Sequence, residues 1–130
     1  MCFSLRKLAV AHGAFYFLSG VWPLFDIDSF QAVTGPKFDL WLVRTLGLLL
    51  AADGVVLLVV AARRMIPGAI VALALLHAGA LAAVDVTYVS LDRIAPIYPA
   101  DAAVQTVLIL GWLWAWTHRP LAALPMNISD

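Results

Sequence analysis

The sequence predicts an all-α integral membrane protein, a four-helix bundle of up-and-down topology with both termini in the cytoplasm, and three observations predict it. Of the 130 residues, 64% are hydrophobic and 12% are charged, and mean hydropathy is +0.96, more apolar surface than a water-soluble core of this size can hide. Four apolar stretches, Leu8–Phe25, Leu40–Ala62, Ile66–Val89 and Ala100–Trp116, each approach the roughly 20 residues a helix needs to cross a hydrocarbon core. Segments rich in proline, glycine and charge part them. Because lipid offers backbone groups no hydrogen-bond partner, stretches of this kind must be helices. One domain over residues 1–130 is expected.

The first stretch follows Arg6 and Lys7 and is read as a retained span, since no small-residue cleavage site follows it. The segment "PLFDIDSFQAVTGPKFD" closes it, and there Asp28 or Ser29 is expected to cap a short surface turn from Phe30 to Val33. The second and third stretches meet at "ARRMIPG", and "LDRIAPIYPAD" separates the third from the fourth. Arg6, Lys7, Arg63, Arg64 and Arg119 fall on the side of the termini, against Lys37 and Arg93 on the other. The positive-inside rule then places the termini in the cytoplasm of a cell membrane, read as the bacterial inner membrane. Trp22, Trp41 and Tyr98 fall at the outer boundary and Trp114 and Trp116 at the inner one. The "NIS" at Asn127–Ser129 matches a glycosylation pattern on the cytoplasmic side, where it has no role.

Charge and cysteine usage exclude several classes. A net charge of zero and the lack of a basic run argue against nucleic acid. A single cysteine, Cys2, cannot form an intrachain disulfide, which removes thiol oxidoreductases. No phosphate loop or nucleophile elbow is present.

Ionisable residues inside spans are the informative ones, because each costs about 2.5–3.5 kcal/mol near the bilayer centre unless compensated. Arg44 lies about 6 Å and Asp53 about 20 Å along the second span, on roughly opposite faces, so each needs its own partner. For Arg44 the candidates are Asp85 in the third span and Asp101 in the fourth. His77, Leu81, Asp85 and Tyr88 form one stripe, and Asp101 with Gln105 a second. For Asp53 they are His12 and His77, with Tyr16, Ser19 and Trp22 continuing the stripe of His12. Arg44, Asp85, Asp101, Gln105, Tyr88, Tyr16 and Trp22 are therefore the candidate ligand-binding residues, and Asp53 with His77 the candidates for proton transfer. For Arg44 a plain ion pair fixing helix register is an equal reading, and for a lone histidine such as His12 or His77 a neutral ring bonded to a neighbour is the commoner one. His12, Asp53 and His77 sit on three helices without local ligand spacing, so no metal, haem or other cofactor is expected.

"FYFLSGVWPLFDIDSFQAVTGPKFDLWLVRTLG" and "AVDVTYVSLDRIAPIYPADAAVQ" resemble the two shared blocks of a group of small, uncharacterised bacterial four-helix integral membrane proteins. The resemblance implies a four-span fold and no particular activity. More faintly, "YFLSGVWPLFDIDSFQAV" and the mid-helix His77 are similar to the sterol-isomerase and sigma-2-receptor superfamily. That similarity implies a cavity with buried acids for sterol-like ligands; all eight acids here are aspartates, whereas that family uses both acids.

The expected function is binding of a small lipophilic molecule by its polar end in an intramembrane pocket, with acid/base conversion open to Asp53 and His77. A small proton-linked carrier or channel subunit, and a structural or assembly protein without ligand, remain alternatives. The expected partners are membrane lipid or a lipophilic small molecule, and a second copy of the chain through small-residue faces.

Overall fold

The computed structural model describes residues 4–118, so Cys2, Arg119 and the Asn127–Ser129 tripeptide lie outside the described residues. It is all-helical, with α1 (Leu5–Phe25), α2 (Ile27–Thr34), α3 (Leu40–Ala62), α4 (Gly68–Ser90) and α5 (Tyr98–Thr117). Of these, α1, α3 and α4 are long and apolar enough to cross a membrane. The twenty residues of α5 include Asp101, Gln105, Thr106 and Thr117, and this polarity keeps it out of that group.

Local chemistry sets the helix ends. Ser4 caps α1 by accepting the Lys7 amide at 3.3 Å. Pro23 stands in the last turn of α1, and the Asp26 amide donates back to the Trp22 carbonyl at 3.0 Å. Asp26 then starts α2, its Oδ1 accepting the Ser29 amide at 3.0 Å. The expected turn from Phe30 to Val33, capped by Asp28 or Ser29, is thus corrected: α2 begins at Ile27, since Asp26 is the residue whose carboxylate reaches an orphan amide three positions on. Gly35, at φ +85°, ends α2 in a conformation that penalises a side chain.

The Ser29 amide holds the exposed Asp26 carboxyl below the ordinary carboxylate range. A lowered folded-state value means that the cap contributes above the unfolded-state value and is lost as pH falls through the lowered one. Protection of the Ser29 amide from hydrogen exchange is accordingly expected to persist from neutral pH into mild acid. It is expected to vanish only in stronger acid, and at every pH in Asp26→Ala.

The helices pack as two pairs, α1 on α3 and α4 on α5. Glycines allow the first pair to approach closely. A Cβ on Gly54 would lie 2.6 Å from the Gly13 carbonyl oxygen and 2.6 Å from the Phe17 nitrogen, and one on Gly20 would lie 2.6 Å from the Ala51 nitrogen. Gly13 and Gly20 in α1 face Gly54 and Gly47 in α3, each pair seven residues apart, so two backbones meet along one seam. Where apolar side chains gain nothing by leaving lipid, such close contact is a main source of helix association.

The two pairs join at the end of the molecule that carries the termini. There Leu8, Ala9, Leu57, Ala61, Val71, Ala74, Trp112 and Ala115 form one buried apolar core drawn from all four long helices. Arg6 crosses this end to donate from Nε to the Ala61 carbonyl at 3.1 Å, satisfying one of the last carbonyls of α3. Toward the other end the pairs part, and α3 and α4 share few contacts although a short loop joins them.

Candidate functional site

Where the pairs part, a cavity of about 510 Å³ opens, lined by all five helices and by the segment before α5. This volume is within the range of small-molecule sites. Its walls are mostly apolar, including Phe15, Leu46, Leu50, Leu81 and Val84. Against them stands a short set of polar groups.

The floor is formed by Tyr16 and Gln105, both buried, with the tyrosine hydroxyl donating to Gln105 Oε1 at 3.1 Å. Gln105 Nε2 approaches the Asp101 carboxylate at 3.4 and 3.5 Å, the outer limit of a hydrogen bond. Asp85, 5% exposed, lines the wall beside Asp101, and its Oδ2 is buried without a hydrogen-bond partner. Its Oδ2 and His12 Nε2 are the buried side-chain polar atoms left unpaired among the described residues.

Helix α2 and its flanks cover part of the mouth. Trp22 Nε1 donates to Ser29 Oγ at 2.8 Å, and the Trp22 ring meets Phe30 edge to face at 5.4 Å. Lys37 folds back so that Nζ donates to the Thr34 carbonyl at 2.8 Å and the Gly35 carbonyl at 3.2 Å, a cation at the carbonyl end of a helix. The same nitrogen lies 5.3 Å from the Tyr98 ring centroid. Lys37 is the cation that lines the cavity, at its rim.

The structure brings together Tyr16, Trp22, Asp85, Asp101 and Gln105 as expected, and it separates the other candidates from them. Arg44 does not pair with Asp85 or Asp101: it is exposed on α3, and among the described residues no carboxylate lies within 4.0 Å of it. Nine residues at about 100° each put it opposite Asp53, and Asp53 faces α4. Tyr88, 45% exposed, also lies outside the cavity wall. Asp53 and His77 do meet, with His77 Nδ1 2.6 Å from Asp53 Oδ2, yet neither lines the cavity. They sit one turn below Leu50 and Leu81, two residues that do.

His12 takes a different partner from the expected Asp53. Trp112 Nε1 donates to His12 Nδ1 at 3.0 Å, both rings being fully buried, and the Tyr16 ring stands edge to face with the imidazole at 4.1 Å. With Nδ1 accepting, the ring hydrogen is on Nε2. No cluster of three metal-ligating side chains occurs among the described residues. Trp112 was legible in principle: Asp101, Gln105, Leu108, Trp112 and Ala115 follow a 4-3-4-3 spacing, so the polar stripe of α5 continues into its buried face. Lys37 gave no comparable signal, because its position depends on the turn at Gly35.

Compared with protein-family models, curated proteins and solved structures, the chain matches none of them.

Proposed function

We propose that this protein is a membrane protein of four spans, α1, α3, α4 and α5, which binds a small lipophilic molecule in the cavity by a polar end that donates hydrogen bonds. The observation that carries the reading is Asp85: an acid almost wholly buried, with one oxygen unpaired, in the wall of a cavity that is mostly apolar. Such a group is costly unless something donates to it. No described cation does so, since Arg44 faces outward and Lys37 is held by two carbonyls at the rim. A ligand hydroxyl or other donor supplies what is missing.

The apolar core filling the terminal end of the bundle supports a dead-ended pocket rather than a path across the membrane. Acid/base conversion by Asp53 and His77 would require their pair to reach a cavity whose wall they do not form. The excess of arginine and lysine at the terminal end supports a cytoplasmic location for the termini, in a bacterial inner membrane, with the cavity opening outward.

The test uses the full chain in lipid nanodiscs with two probes, 1-dodecanol and its methyl ether, which differ in the donor alone. A hydrogen bond contributes about 0.5–3 kcal/mol, the upper part of that range when its acceptor is charged, so native mass spectrometry is expected to show the alcohol retained at least about threefold over the ether. Equal retention, or none of either, refutes the reading.

A further inference from the structure

The Asp53–His77 pair lies outside the cavity, and its placement along the bundle has its own meaning. Asp53 is nine residues before the end of α3 and His77 nine residues after the start of α4, so both stand about 14 Å from the terminal end of helices 23 residues long. They occupy one level near the middle of the spans. At that level the imidazole is 40% exposed and the carboxylate 25%. The bond between them uses Nδ1 and Oδ2 and leaves Nε2 and Oδ1 without a bond among the described residues. Hydrocarbon chains can satisfy neither.

The surface around the pair is shaped for another helix. Ala72, Ala80 and Ala83 of α4 are exposed, and a Cβ added at Gly79 would meet nothing within 4 Å. On α3, Leu49 is exposed one turn before Asp53, at nearly the depth of Ala80 on α4. Small residues on a span permit close approach, but they do not say of what. The ion pair does. A donor and an acceptor side by side at equal depth are self-complementary under a two-fold axis along the membrane normal, which carries each helix to its own depth in the other copy. Such an axis sets His77 of one copy opposite Asp53 of the other, and α3 opposite α4.

We infer that the protein is a homodimer whose two copies meet through their α3–α4 faces, with the two Asp53–His77 pairs closing into a four-membered ring of charge-assisted hydrogen bonds at mid-membrane. Each imidazole Nε2 donates to the other copy's Asp53, so all four groups are covered. The interface is distinct from the cavity reading and stands whether or not the cavity binds a ligand.

The experiment places single cysteines in a Cys2→Ser background of the full chain in nanodiscs. Chains carrying A80C are mixed before reconstitution with chains carrying L49C, positions within about 2 Å of one another in depth, and disulfide-linked dimer is measured after mild oxidation. The mixture is expected to cross-link about tenfold more than V107C alone, a site 68% exposed on α5. Native mass spectrometry is expected to show dimer in the parent chain, at least tenfold less of it in Ala80→Trp and in Asp53→Ala, and recovery in the swapped double variant D53H/H77D, whose faces are again self-complementary. Ala80→Trp alters only an exposed position, so its result is independent of whether Asp53→Ala folds. Cross-linking no greater than V107C, or a monomeric parent chain, overturns the inference.

Discussion

Gly54→Ala and Gly20→Ala are expected to destabilise the bundle by about 2–3 kcal/mol each or more, at the upper end of what overpacking costs. The reason is the identity of the atoms a new methyl would meet. At Gly54 they are the Gly13 carbonyl oxygen and the Phe17 nitrogen, and at Gly20 the Ala51 nitrogen, all at 2.6 Å. Side chains at such distances would rotate away, whereas helical backbone moves only as a whole. α1 and α3 must therefore separate along their length, giving up the contact that replaces the hydrophobic effect inside a membrane. Gly79→Ala provides the control. With nothing within 4 Å, it is expected to be neutral or to gain up to about 1 kcal/mol from the lower backbone entropy of alanine. Unfolding in detergent, at dilutions where the chain is monomeric, measures all three. A Gly54→Ala variant as stable as Gly79→Ala would show that the seam is looser than described.

Asp85→Leu is expected to make the protein more stable and less able to bind. Removing a buried carboxylate with an unpaired oxygen relieves a cost of about 1–3 kcal/mol, and leucine fills part of the wall it leaves. In the same variant, preference for dodecanol over its methyl ether is expected to disappear, because the acceptor that distinguishes them is gone. Opposite movement of stability and binding is the mark of a functional group held at the expense of the fold. A Asp85→Leu chain that lost stability would mean that the carboxylate has a structural partner, and the pocket reading would fail with it.

Much of this architecture follows from elementary rules, and the exceptions have physical causes. Three long helices and the breaks between them were legible because span length and the Pro and Gly positions are one-dimensional signals. The clustering of Tyr16, Asp85, Asp101 and Gln105 was legible because each is a polar residue within an apolar stretch and must turn inward. Arg44 was misplaced, although the sequence held the means to correct it. Its nine-residue offset from Asp53 put the two on opposite faces, so once Asp53 is assigned to α4, Arg44 points away from every acid. Near the helix end a long arginine escapes the cost of burial by reaching for the interface, so the rule for buried charges did not bind it. The glycine seam was not read at all. Its signal, a seven-residue repeat of glycine in both α1 and α3, is short, and glycine is common in membrane helices for other reasons.

In the proposed membrane setting, the outward-facing Arg44 would act on the molecule as a depth gauge. Four residues from the start of α3, it is about 6 Å from the end of that helix, and an arginine stem spans that distance to reach lipid phosphate. With α3 read as a span, a guanidinium fastened there would fix how high that helix rides in its leaflet. Leu46 and Leu50, which follow on the same helix, are cavity wall, so in a membrane the leaflet's thickness would decide whether the chamber faces acyl chains or water. Thinner and thicker bilayers would then be two environments for the proposed site, set by a residue that forms no part of its wall.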